Sequence, residues 1–235
     1  LSSTLSSLNR HLLTDTTVIV VDDGSYYHQD VAQIASQFGC VYLRDRINRG
    51  AASARNLGLD YVQARMPSAE FVCFIDAGVQ ITADWCSAVR QADDRNRIRA
   101  GPVLTLGDNL FDRYYRARGT LSPRYIDGDK DDLLYAPSAA MIWPRAVDDL
   151  LRFNTEFRSA SHEDIEVCVR AKLAYGIGIV LDPRLVVVHD FDDHCIADFR
   201  NRFARYGRYH RMMVARYPPF DDLFRRSRPY KWDIK

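Results

Sequence analysis

At 235 residues, of which 47% are hydrophobic, the chain is long enough for one large or two small globular domains and too apolar for disorder. Its apolar runs reach only four or five residues, far short of the roughly twenty that a bilayer-crossing helix requires, and its five cysteines lack CxxC spacing, which excludes a disulfide framework and the usual zinc pattern. The net charge of +1 is a cancellation: residues 195–235 hold 11 Lys/Arg against 4 Asp/Glu and the rest holds 21 against 27, so no domain-wide basic face for nucleic acid is expected. The opening Leu1-Ser-Ser-Thr-Leu-Ser-Ser-Leu8 has no basic start and no continuous apolar stretch, so it does not read as a secretory signal. A reducing, cytoplasmic setting follows, with membrane association left open to the tail.

Short apolar runs alternate with segments of helical period, the pattern of a three-layer α/β domain on a mostly parallel sheet. Residues 18–21 form a strand that ends in the turn formers Asp22-Asp23-Gly24-Ser25; a helix over 31–38, a strand over 40–43 and an alanine-rich helix over 51–64 follow. Residues 71–75 are apolar on every side, as a central strand covered by two helix layers should be. Thr82 caps a helix to Gln91, and 98–104 returns as a strand. Residues 107–134 show no convincing period and read as a mobile or acceptor-facing insertion. A strand over 139–143, a helix opened by Pro144-Arg145, and a helix over 163–175 with Ser161 as its cap come next. Strands over 177–181 and 185–188 precede a long basic helix, and no internal repeat is visible.

In open parallel sheets ligands bind at the carboxyl ends of strands, and here those ends carry Asp22-Asp23, Asp76 and His189. Gly50 at a helix start lets the backbone approach anionic groups closely. Taken singly, each of these residues also reads as an ordinary turn or cap, and Arg49 as a solvated charge. No G-x-S-x-G and no G-x-x-x-x-G-K-[ST] is present.

Four strings in fixed order, Val18-Ile-Val-Val-Asp-Asp-Gly-Ser25, Asn48-Arg-Gly-Ala-Ala-Ser-Ala-Arg-Asn-Leu-Gly58, Phe74-Ile-Asp-Ala77 and His162-Glu-Asp164, resemble glycosyltransferase family 2, the inverting enzymes of GT-A architecture. The resemblance covers about residues 1–195. It implies a Rossmann-like three-layer fold, a nucleoside-diphosphate sugar donor and a hydroxyl acceptor. It also implies a nucleotide-sugar site drawn from Asp22, Asp23, Gly24, Ser25, Asn48, Gly50, Arg55 and Asp76. Asp164 is implied as the general base, with His162 and Glu163 on the acceptor side. The Gln-x-x-Arg-Trp string of processive synthases is absent, so transfer of a single sugar is expected.

Two departures from the family pattern bear on the site. The usual Asp-x-Asp reads Asp76-Ala77-Gly78, so one carboxylate is missing, and a divalent metal (Mn2+ or Mg2+) would rest on Asp76, His189 and diphosphate oxygens. The run His189-Asp190-Phe191-Asp192-Asp193-His194 is alternatively a polar loop or a separate metal site. The family's first strand, with its Pro-x-Tyr-Asn-like loop, has no counterpart ahead of residue 1, which leaves the expected nucleotide pocket incomplete.

The expected organisation is a catalytic domain over 1–194 and a basic aromatic tail over 195–235. In the tail, Arg200, Arg202, Arg205, Arg208 and Arg211 flank Phe199, Phe203 and Tyr206 until Pro218-Pro219 stops the helix. Either the stripe packs on the domain, or the helix lies on an anionic membrane. A catalytically inactive nucleotide-sugar-binding or scaffold module, and a sugar nucleotidyltransferase, are the alternatives to transfer.

Overall fold

The computed structural model describes residues 1–11, 15–126, 129, 132–158, 161–190 and 195–231. The first half runs α1 (Ser2–His11), β1 (Ile19–Asp23), α2 (His28–Gln37), β2 (Val41–Asp45), α3 (Ala51–Arg65), β3 (Phe71–Phe74), β4 (Val79–Ile81), α4 (Ala83–Arg90), β5 (Ile98–Ala100), β6 (Val103–Thr105) and α5 (Leu110–Arg118). The second half runs β7 (Arg124–Ile126), β8 (Leu133–Tyr135), β9 (Met141–Pro144), α6 (Arg145–Asp148), α7 (Glu163–Tyr175), β10 (Ile179–Leu181), β11 (Val187–His189), α8 (Ile196–Arg216), α9 (Phe220–Arg226) and β12 (Ser227–Pro229). No helix among the described residues is long and apolar enough to cross a membrane.

The α/β architecture matches the alternation of the sequence, but the strands are more mixed in direction than their apolarity implies. β1 pairs in parallel with β2, and the central sheet has the order β10-β5-β9-β3. β10 and β5 are parallel, whereas β9 runs antiparallel to both β5 and β3. All four residues of β9 are buried, so its continuous apolarity reports cover on both faces and says nothing of direction. The run over 98–104 divides at Gly101-Pro102. A side chain at Gly101 would meet the Leu185 carbonyl at 2.1 Å, and the Pro102 carbonyl accepts from the Val187 amide, so β6 leaves the central sheet to pair with β11.

Polar residues near the start of the chain are structural. Thr4 and Ser7 are as buried as Leu5 and Leu8, and their hydroxyls accept from the Gly78 and Ile81 amides at 3.0 and 3.3 Å, closing the free edge of β4. β1 and β3 face one another across a cleft of about 870 Å³, and neither edge has a strand partner there among the described residues. The alternating runs predict one continuous sheet at this place; the structure has two, with a cleft between them.

Residues 107–134 hold more order than their composition indicates. Asn109 caps α5 by accepting from the Phe111 and Asp112 amides, and Asp112 returns the bond to the Asn109 amide. β7 and β8 form a hairpin, and β12 adds to its edge. The tail therefore joins the body. Tyr209, Met213 and Phe220 lie in the same core as Trp143 and Phe157, and Phe199 and Phe203 stack on Phe111 and Tyr115 of α5 at 5.4 and 6.4 Å. The apolar stripe of α8 is thus spent on packing, while Arg200, Arg208 and Arg211 remain exposed.

Candidate active site

The two acids that end β1 have different tasks. Asp22 is sealed inside, accepting from the Ser25 amide at 2.8 Å and the Tyr42 hydroxyl at 2.7 Å, with Arg44 at 3.7 Å. Burial opposes its charge, but those hydrogen bonds and Arg44 outweigh it and hold the carboxyl below its ordinary range. Asp22 shapes the turn. Asp23 reaches across to the next loop, where it accepts from the Arg49 amide at 2.8 Å and the Gly50 amide at 2.7 Å. Asn48 and Ser25 are left exposed at the rim.

Two glycines make this close approach possible. A side chain on Gly24, at φ 73°, would meet the Asn48 amide nitrogen at 2.5 Å, and one on Gly50, at φ 94°, would meet the Arg158 carbonyl at 2.0 Å. α3 begins directly after Gly50, so its first amides open onto this loop.

One turn into α3, Arg55 joins the remaining motifs. Its Nη2 donates to Asp76 Oδ1 and its Nη1 to Glu163 Oε1, both at 2.8 Å, and the guanidinium lies 5.3 Å from the Phe153 ring centroid. Burial alone would disfavour its charge, but the two carboxylates outweigh burial and hold it more firmly cationic. Asp76 is lowered in return, Arg55 and His189 together overcoming its burial. The neighbouring Asn56 clasps the Phe153 backbone with two bonds of 2.8 Å, and Phe153 stacks on the fully buried Trp143 at 5.0 Å. Core packing therefore fixes where Arg55 can reach.

Glu163 and Asp164 open α7, and they are treated differently. Glu163 is buried, paired with Arg55, and accepts from the Ser161 amide at 2.7 Å. Asp164 accepts only from the Ile165 amide at 2.8 Å and has no cation partner among the described residues. Burial first, then the Glu163 charge, pushes its carboxyl up to about 7 against the smaller opposing pull of Arg55. Ser161, expected as the cap of α7, gives its amide to Glu163 instead. The N-cap is His162, at φ 66° and without a side-chain cap bond. The imidazole is 7% exposed, shares Nδ1 with the Ser161 hydroxyl at 2.9 Å, and is kept neutral by burial and by nearby His210, its pKa lowered to about 3.

The family model that matches residues 1–150 is described as Glycosyl transferase family 2. The chain belongs to glycosyl transferase family 2. No curated protein sequence matches it significantly. Among solved structures it is similar to S. aureus TarS (residues 1–349) in complex with UDP, with a TM-score of 0.58 and 20% identity over 85% of this chain and 58% of that one. It is also similar to the mannosyltransferase PcManGT from Pyrobaculum calidifontis in complex with GDP-Man and Mn2+, with a TM-score of 0.57 and 19% identity over 89% of this chain and 59% of that one. GalNAc-T7 with UDP, GalNAc and Mn2+ gives a TM-score of 0.54 and 15% identity over 80% of this chain. The chain spans 40% of GalNAc-T7 and somewhat over half of the other two. These likenesses confirm the GT-A fold.

Of the two residues expected to hold a metal, Asp76 is engaged by Arg55. His189 ends β11 opposite Val79, beside the turn that follows Asp76, and lies within electrostatic reach of that carboxylate. Its Nδ1 is 2.6 Å from the Asp190 carbonyl. No group of three His, Cys, Asp or Glu side chains among the described residues is arranged to hold a metal. Residues 191–194, read as part of a polar or metal-binding loop, lie outside the described residues.

Sequence reasoning did not show the contacts of five residues, Asn56, Phe153, Tyr26, Tyr27 and Tyr206. Asn56 and Phe153 act as a support for Arg55, which no local pattern indicates because they are 97 positions apart. Tyr26 and Tyr27, 88% and 70% exposed and edge-to-face at 5.0 Å, follow the Asp-Asp-Gly-Ser turn; their exposure could not be read from the string. Tyr206 of α8 packs on His162 at 5.9 Å, which brings the tail to the start of α7.

Proposed function

We propose that this chain transfers a single sugar from a nucleoside-diphosphate sugar to an acceptor hydroxyl with inversion, Asp164 acting as general base. The observation that carries the reading is the contrast among three neighbouring acids: Asp76 and Glu163 share Arg55, whereas Asp164 is unpaired and titrates near neutrality. An unpaired base with that titration accepts a proton at physiological pH and returns it readily. The acceptor O–H proton moves to Asp164 as the oxygen forms a bond to the anomeric carbon. The bond from that carbon to the diphosphate oxygen breaks on the opposite face, and the nucleoside diphosphate leaves.

On the donor side, Asp23 holds the loop that presents Asn48 and the α3 amides, and Asp76 is positioned by Arg55 for the ribose. Ser25 and the exposed tyrosines after it offer polar and stacking contacts to the base. Relatives of this fold solved with UDP, or with GDP-Man and Mn2+, support a nucleotide-sugar donor of the same class. A divalent cation, Mn2+ or Mg2+, would be held by Asp76 and His189 with diphosphate oxygens, and would supply charge for the leaving group. With Gly78 in place of a second carboxylate, two protein ligands predict weak binding that depends on nucleotide. Titrating Mn2+ in the presence of UDP or GDP should give an affinity several-fold weaker in His189→Ala than in wild type; equal affinities would remove His189 as a ligand.

The test of the reaction itself is transfer from a panel of UDP- and GDP-sugars to hydroxyl acceptors, read by NMR at the anomeric carbon. Inversion of configuration is expected, and retention would overturn the mechanism. Nucleotide-sugar binding with no turnover across the panel would favour an inactive binding module.

A further inference from the structure

The buried arginines of this chain are generally balanced by acids. Arg55 has Asp76 and Glu163, Arg99 has Asp182, and Arg170 has Glu166. Arg205 on α8 is an exception. It is half-buried, its Nε is shut off from solvent without a hydrogen-bond partner, and it forms no ion pair among the described residues. A donor shut off without a partner is the kind of group that a bound acceptor would satisfy. Its fork of donors suits the planar or tetrahedral oxygens of a carboxylate or phosphate.

Arg205 stands one residue before Tyr206, whose ring packs on the His162 imidazole at 5.9 Å, and His162 is two residues before Asp164. The Tyr206 hydroxyl lies within the fields of Asp164, Arg202 and Arg205 at once, so these charges share one neighbourhood. Arg202 is already engaged, hydrogen-bonded to Tyr206 with its guanidinium carbon 5.9 Å from the Tyr115 ring centroid. His162 adds a second unused group. It is more than nine-tenths buried, its Nδ1 is taken by Ser161, and its Nε2 has no partner among the described residues. It is also the one described non-glycine residue at positive φ, a conformation that side chains seldom adopt without a reason in the surrounding site.

We propose that Arg205, next to Tyr206 on α8, and His162, packed against the Tyr206 ring, form a subsite beside Asp164 for an anionic oxygen group, a phosphate or a carboxylate, carried by the acceptor. The word acceptor rests on the transfer reading above; the anion contact does not. Arg205 neutralises the group, His162 Nε2 supplies a second polar contact, and an acceptor hydroxyl near the anion is brought to the base. A neutral acceptor of the same shape would leave Arg205 unpaired and bind less well.

Glycerol 1-phosphate, glycerate and glycerol serve as probes, titrated by NMR into the protein with and without saturating UDP or GDP, which occupies the donor side. The phosphate and the carboxylate should bind and glycerol should not. Arg205→Gln should weaken both anions about tenfold, as expected for loss of a charge-assisted hydrogen bond, while Arg205→Lys retains part of the affinity. His162→Gly, which suits the left-handed backbone, should also weaken them without unfolding the chain. Because Arg205 has no partner to lose, Arg205→Gln should melt no lower than wild type; a clear drop would mark a structural role and overturn the proposal. Equal anion binding by wild type and Arg205→Gln, or glycerol binding as well as its phosphate, would overturn it too. Failure of UDP and GDP to bind wild type would count against the donor reading alone, since anion binding is also measured without nucleotide.

Discussion

Asp164 and Glu163 are adjacent in sequence yet electrostatically opposite, one unpaired and one held by Arg55. Removing the Glu163 charge removes a repulsion that raises the Asp164 carboxyl. kcat/KM should therefore rise with pH through about 7 in wild type, and Glu163→Gln should move that rise to lower pH. An unmoved limb would show that burial alone sets it. Stability has the opposite sense. The folded carboxyl titrates above its ordinary value of 3.8, so its contribution is full below about pH 4 and is lost as pH rises through about 7. At this scale the sequence was informative wherever the chemistry is local. The strings around Asp22-Asp23-Gly24-Ser25 and Asn48-Arg49-Gly50 mark a strand-end turn and a helix start, and the structure places them there. What the string cannot show is the division of labour. Asp22 is closed into its own turn and Asp23 grips a loop 26 positions away, a difference set by which side chain the β1 pleat sends inward.

Among the elements, α3 and α7 are coupled through Arg55 across 108 positions, and α8 is coupled to α7 through the Tyr206 contact with His162 and the Tyr217 hydroxyl, which donates to Glu166 at 2.6 Å. Helix positions were readable from period and caps, as with Thr82, whose hydroxyl accepts from the Trp85 amide. α5 was not, because its inward face is Phe111 and Tyr115 within a segment dominated by Arg, Asp and Gly, and because the α8 aromatics that cover it lie some 85 residues on. Strand direction was also hidden: β9 is apolar for reasons of cover alone. The basic tail reads as an appendage in sequence, yet it carries Met213 and Phe220 into the main core, both fully buried. Deleting residues 195–235 should accordingly abolish cooperative thermal unfolding, since several large side chains lose their cover at roughly 2–5 kcal/mol each. A deletion variant that melts cooperatively near the wild-type temperature would show the tail to be dispensable.

Over the whole molecule, an acidic body and a basic tail sum to a charge near zero, and the tail packs into the core of the body while Tyr206 of α8 reaches His162. The single carboxylate at Asp76-Ala77-Gly78 departs from what the family pattern leads one to expect. The central claim is that Asp164 takes the acceptor proton, and the most direct test is the transfer rate of Asp164→Asn, with nucleotide binding measured on the same sample. Loss of a positioned general base should lower kcat by about 10²–10⁴-fold with nucleotide affinity unchanged. Transfer at the wild-type rate by Asp164→Asn would contradict the account.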